Sequence, residues 1–286
     1  MERQALRKRD IPGEIILQTE NLCYSYDQKE NVLKGVSLSV RRGERIAVLG
    51  SNGAGKSTCF LNLNGVLTPD SGKIRYCGRE MTGRGKNELR RHVGIVFQEA
   101  DNQIIASTVG AEVSFGPMNL KLPKAEVARR VEESLKVMNL SAMRGRAPHY
   151  LSGGEKKRVC IADILAMESE IILFDEPASS LDPANAELFE KVLDDLWKMG
   201  KTLIISTHDV DFAYRWARRT VVFADGEVIG DGESLSIFKD QAVMERAGLK
   251  KPLLMEVWER LVRRGLASEK QYPKSMEEFD VLMSKI

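Results

Sequence analysis

Apolar and polar positions alternate with a period of two through the first fifty residues: EIILQTENLCYSY at 14–26, NVLKGVSLSV at 31–40 and ERIAVLG at 44–50. That period belongs to strands, and the polar break Arg41-Arg42-Gly43-Glu44 reads as a turn between two of them. The pattern then changes. Residues 56–64 read as a helix ending near Gly65, and Thr68–Gly85 as a turn-rich stretch around Pro69-Asp70-Ser71-Gly72 with a short strand at Lys73–Tyr76. The run 123–139 carries apolar residues at helical spacing behind a Pro123 start. Residues 155–167 and Ala184–Lys198 read as further helices. IILF at 171–174 is wholly apolar, as a strand covered on both faces is, and TLIIST at 202–207 and TVVFA at 220–224 read as further strands. Strands alternating with helices predict a mainly parallel α/β sheet, with the early strands as an antiparallel annex. After about residue 246 the character shifts to two helices with a Gly- and Pro-marked connection, too short to hold a large core of their own.

Composition narrows the classes. A chain of 286 residues suggests about two domains, or one large α/β domain with an appendage. Forty-three basic against forty-one acidic side chains leave no basic excess, which argues against a dedicated nucleic-acid binder. No apolar run approaches the ~20 residues of a membrane span, so a membrane role would be peripheral. The basic N-terminus, MERQALRKRDIPGEI, has no apolar run behind it and reads as a solvated arm rather than a secretory signal, with contact to a partner or lipid surface as the alternative. Cys23, Cys59, Cys77 and Cys160 form no CxxC pair and read as small core residues in a reducing compartment.

The strongest chemical signal is GSNGAGKS at 50–57, a match to G-x-x-x-x-G-K-[ST] between a strand and a helix. Gly50, Ser51, Asn52, Gly53, Ala54 and Gly55 form a loop whose backbone N–H groups can face phosphate oxygens, with a helix N-terminus behind them. Lys56 can reach the β- and γ-phosphates, the Ser57 hydroxyl can hold Mg²⁺, and Thr58 continues the nucleotide-binding run. IILFDE at 171–176 supplies the carboxylates such a loop requires. Asp175 is the expected Mg²⁺ partner, and Glu176 the expected general base toward an attacking water.

Further along, LSGGE at 151–155 resembles the signature sequence of ABC (ATP-binding cassette) ATPases. The resemblance covers roughly residues 14–245, with the motifs in the family's order. It makes Gln98 in VFQ the Q-loop glutamine and an Mg²⁺ ligand, Asp182 in SSLD the D-loop aspartate and His208 in ISTHD the switch histidine. It makes Tyr26 the aromatic that stacks on adenine, with Tyr24 as its competitor on the same strand face. Ser152, Gly153 and Gly154 are then the signature atoms that reach ATP held by a second subunit. A chain with one phosphate loop and one signature must therefore dimerise, with itself or with a paralogue, around two ATP. The implied fold is a phosphate-loop α/β core (ATP-binding domain 1–245) with an antiparallel β annex, a helical subdomain at about 99–165 and a small helical C-terminal extension at 246–286.

Among ABC proteins, the translation type carries two cassettes, and the DNA-repair type inserts a long coiled coil before the signature. This chain has one cassette, and only 96 residues separate Lys56 from Ser152, so a transporter subunit is the better match. VFQEADNQI at 96–104, with Gln103 as a second glutamine, FGPMNLKL at 115–122 and the tail KKPLLMEVWERL resemble the ATPases of energy-coupling-factor importers, particularly the cobalt/nickel type. Vitamin-transporting importers share most of these features and are the alternative. The resemblance implies a place on the cytoplasmic face of the cell membrane. It also implies an integral membrane coupling protein docked near Gln98–Gln103 and 105–140, and a membrane-embedded substrate-binding protein that alone touches the cargo. His92, His149 and His208 make no ligand cluster, in keeping with that. Two positions depart from the family pattern: Glu155, where glutamine is common, and Asp163, where Gly or Arg is usual.

Overall fold

The computed structural model describes residues 13–27, 29–82, 85–179 and 181–285. Most of the basic N-terminal arm lies outside the described residues. In chain order the strands are β1 (Ile15–Tyr24), β2 (Leu33–Arg41), β3 (Arg45–Leu49), β4 (Ser71–Tyr76), β5 (Arg79–Glu80), β6 (Val93–Val96), β7 (Ile171–Asp175), β8 (Thr202–Ser206), β9 (Arg219–Ala224) and β10 (Glu227–Glu233). The helices are α1 (Lys56–Asn64), α2 (Gly85–His92), α3 (Val109–Asn119), α4 (Lys124–Val137), α5 (Gly153–Ala166), α6 (Pro183–Lys198), α7 (Val210–Trp216), α8 (Ser234–Lys239), α9 (Gln241–Arg246), α10 (Leu253–Arg263) and α11 (Met276–Met283).

The strands form two sheets. The annex has the order β2-β1-β4-β5 and is antiparallel. The core sheet has the order β10-β9-β3-β8-β7-β6, parallel except for the antiparallel β10–β9 pair. Alternate residues of the core strands leave the sheet on opposite faces. Ala47, Leu49, Phe174 and Ile205 join the core built with α5 and α6. Ile46, Val48, Leu173 and Ile204 join the core built with the annex and with Phe60 and Leu63 of α1. Both faces are covered, so the strands carry no polar alternation. Each fully buried large side chain contributes about 1.5–3 kcal/mol through its removal from water.

Between β6 and β7 the chain is helical, and this inserted unit carries the signature. Its helix α5 begins at Gly153, two residues before the sequence pattern suggests, because its N-terminus is closed by a capping box. The Glu155 N–H donates to Ser152 Oγ at 3.3 Å, and Glu155 Oε2 accepts from the Ser152 N–H at 2.7 Å. This gives the Glu155 departure a structural role, and the bond from the Ser152 backbone holds the Glu155 carboxyl below its usual range.

The tail folds as two helices, as expected, and packs onto the main core. Met255 is buried with Tyr214 and Phe238. Trp258 packs edge-to-face on Phe279 at 5.7 Å and donates its indole N–H to Ser268 O. The cysteines divide: Cys59 and Cys160 are buried as expected, whereas Cys23 is half-buried and Cys77 is exposed in the turn after β4.

Candidate functional site

The carboxyl ends of β3, β7 and β8, adjacent or next-but-one in the sheet, bring Lys56, Asp175, Glu176 and His208 together, and Gln98 follows β6 at the sheet's edge. The loop after β3 leaves its strand at Gly50 with φ 148°, and a Cβ there would lie 2.4 Å from Phe223 O. Only glycine fits that approach. Gly55 caps α1, whose first turn carries no acidic residue, so the positive end of the helix is left for an anion. Lys56 is buried, and its Nζ donates to Gly50 O at 2.6 Å and Ser51 O at 3.1 Å. Ser57 is exposed at the start of the helix.

β7 ends on Asp175, whose Oδ1 accepts from Ser206 Oγ at 2.6 Å. The next residue, Glu176, sits at φ 46°, and its N–H is held by Ser206 Oγ at 3.0 Å. Ser206 therefore orients both acids at once, a role that the string ISTHD does not advertise. Glu176 Oε2 lies 2.8 Å from His208 Nδ1, and Oε1 lies 3.7 Å from Lys56 Nζ. That second oxygen is buried and has no hydrogen-bond partner. A buried carboxylate oxygen with an ion pair to Lys56 but no hydrogen bond is costly unless it has work to do.

Tyr26 and Tyr24 separate in the structure. Tyr24 lies against the annex core, and the Tyr26 ring is 62% exposed, edge-on to Tyr24 at 5.0 Å, with its hydroxyl 3.1 Å from Thr58 Oγ1. Tyr26 is thus the one beside the phosphate loop with a free face. Gln98 is exposed just past β6, in a segment braced by Gln103: Oε1 accepts from the Phe97 N–H and Nε2 donates to Ile95 O.

The signature residues form a second locus. Ser152 and Gly153 are exposed at the N-terminus of α5, and a Cβ on Gly154 would meet Asn185 Oδ1 at 2.7 Å. Asn185 is in turn bound by Asp182, the N-cap of α6, through its N–H and its amide, which holds the Asp182 carboxyl below its usual range. Among the described residues, no hydrogen bond or ion pair joins this locus to residues 50–58.

Asp163, the other departure, faces inward from α5. Its Oδ1 is buried without a hydrogen-bond partner, 3.1 Å from where a Cβ on Gly116 of α3 would lie. Burial, then the charge of Glu112, pushes its carboxyl up to about 7. Glu112 itself accepts from the Ile105 and Ala106 N–H groups.

Residues 33–179 match the model of the family described as ABC transporter. A Methanosarcina mazei protein named for ABC transporter ATP binding is 42% identical over 266 residues, covering 92% of this chain, which spans 59% of that protein's length. The energy-coupling factor transporter ATP-binding protein EcfA of Methanothermobacter thermautotrophicus is 46% identical over 253 residues, covering 87% of this chain and 81% of its own. Among solved structures, cbiO1 from Clostridium perfringens, part of the ABC transporter complex cbiONQ, superposes with a TM-score of 0.73 at 38% identity, covering 88% of this chain and 98% of its own.

Proposed function

The chain belongs to the ABC transporter family, among its ATP-binding proteins of the energy-coupling-factor type, and from that premise we propose that it hydrolyses ATP within a dimer and thereby drives a separate membrane complex. The observation that carries the chemistry is Glu176, whose Oε1 is buried beside Lys56 with no hydrogen-bond partner while Oε2 is held by His208. In this reading Oε1 takes the proton of the attacking water, and His208 fixes the carboxylate's direction. Lys56 and the inward N–H groups of Gly50–Gly55 bind the phosphates, and Tyr26 stacks on the base. Ser57, Asp175 and Gln98 would hold Mg²⁺, an oxygen donor set suited to a hard cation, which when bound neutralises phosphate charge.

Ser152, Gly153 and Gly154, apart from the chain's own phosphate loop, serve ATP on a second copy or a paralogue, and Asp182 lines the same interface. The exposure of Ser152 and Gly153 at the head of a fourteen-residue helix supports this. The ATP-binding unit is residues 1–245 and the extension 246–286.

For the membrane partners, the helical unit offers a docking face. An open groove of about 790 Å³ runs between α3 and α4, lined by Met118, Leu122, Val127 and Val131, with Phe115 exposed on α3. A cytoplasmic helix of an integral coupling protein would seat there, with Gln98–Gln103 as a further contact of the same partner. Among the described residues, no helix of this chain is long and apolar enough to cross a membrane. The segments 96–104 and 115–122, by their resemblance to that type, favour a cobalt- or nickel-type importer over a vitamin-type one.

Affinity purification from native membranes in mild detergent tests the reading. Recovery with small integral membrane proteins and Mg²⁺-dependent ATP hydrolysis supports it. Recovery only in a soluble fraction with ribosomes or DNA overturns the transport assignment and leaves the ATPase chemistry standing.

A further inference from the structure

Lys157, on α5 one and a half turns after the signature serine, is only 2% exposed. Among the described residues, no carboxylate lies within ion-pair distance of its ammonium. Its Nζ donates instead to two successive main-chain carbonyls, Phe97 O at 3.0 Å and Gln98 O at 2.6 Å. Burial pulls its pKa down, and the charge of nearby Asp175 opposes that shift. A buried cation without an acid partner is a costly way to fill space, and an apolar side chain of similar length would pack there at less expense. What the lysine adds is a fixed link between the signature helix and the backbone that carries Gln98.

Neighbouring contacts make the link stiff. Lys156 pairs with Asp101 at 2.6 Å on the same segment. Gln103 holds Phe97 from the opposite side by accepting its N–H. Phe97 is thus bonded through its carbonyl to Lys157 and through its N–H to Gln103, so it has little freedom to move alone. A shift at the N-terminus of α5 must either break the two bonds of Lys157 or carry the Gln98 backbone with it.

We propose that Lys157 is a positioning residue that couples the two ATP sites of the dimer, passing a displacement of the signature to the Gln98 loop of the same chain. The inference rests on the dimeric ATPase reading above. In that dimer Ser152 faces the partner's nucleotide and Gln98 faces the chain's own. One side chain therefore spans the two sites, and occupancy of one alters the geometry at the other.

Steady-state hydrolysis against ATP and against Mg²⁺, with the purified dimer, tests this. The wild-type protein should show a Hill coefficient above 1 for ATP. Lys157→Met should bring it to 1 and cut kcat at least tenfold, with KM for ATP within about twofold and a higher half-saturating Mg²⁺. Lys157→Arg, which keeps charged donors, should recover part of both effects, whereas a residue that merely fills space would show no such rescue. If Lys157→Met does not fold, Lys157→Gln, which keeps a neutral donor, should lower both cooperativity and kcat to an intermediate extent. A folded variant with wild-type cooperativity and kcat overturns the coupling alone, as does a non-cooperative wild type. A wild type that hydrolyses no ATP overturns the coupling together with the ATPase reading.

Discussion

Nδ1 of His208 stands 2.8 Å from Oε2 of Glu176, joining the residue after β7 to one two positions beyond β8. With Lys56 beside the other oxygen, the carboxylate has a fixed direction, and only Oε1 remains to accept a proton. Glu176→Gln keeps the shape and removes the base. Turnover should fall by a factor of about 10²–10⁴ with ATP binding retained, and ATP should hold the variant as a dimer on size-exclusion chromatography. Phosphate release near the wild-type rate would show that another group takes the proton.

Gly50→Ala should act through geometry rather than charge. The new methyl meets Phe223 O, and φ 148° is a conformation that alanine rarely adopts. A destabilisation of about 1–3 kcal/mol and loss of ATP binding are expected, checked by thermal melting and by nucleotide titration.

The buried Asp163 makes stability depend on pH. Its carboxyl titrates at about 7 in the fold and near 4 in the unfolded chain. Between those values the folded chain keeps a proton that the unfolded chain releases, so stability falls as pH rises through the window, and the loss is complete above pH 7. Asp163→Asn should therefore be more stable than wild type at pH 8 by about 1–3 kcal/mol and close to it near pH 4, as read from denaturant melts.

Trp258 holds the two helices of the tail together through Phe279 and Ser268 O, while Met255 joins the tail to the main core. Trp258→Ala should cost about 3–5 kcal/mol of local packing and free 253–285 to protease, with ATP binding unchanged. On the assembly proposed above, removing 253–286 should also weaken self-association without nucleotide, and an unchanged dimerisation constant by sedimentation would refute that role.

Much of this arrangement is legible in the sequence because its motifs are local. The phosphate loop, IILFDE and LSGGE each announce their chemistry within eight residues, and the buried strands β3, β7, β8 and β9 announce themselves by composition. What stayed hidden is either short, atypical or non-local. β6 is four residues long and sits between a charged helix and the Gln98 loop. α3 holds Pro117 and two glycines, and its start depends on the Thr108 hydroxyl accepting from the Ala111 N–H. The grip of Ser206 on both acids joins residues some thirty positions apart, and that of Lys157 on Phe97 spans sixty. No spacing rule encodes such contacts, because they depend on which strands lie side by side.

One edge of the core sheet bears on how such a subunit lives among copies of itself. β10 is antiparallel to its neighbour, shifts register between Val228 and Gly230, and carries Glu227, Asp231 and Glu233. An irregular, acidic, glycine-bearing border is a poor template for another chain's strand. In the dimer proposed above, two copies brought together repeatedly would thereby be steered away from ribbon-like growth, and their meeting left to surfaces that can part again.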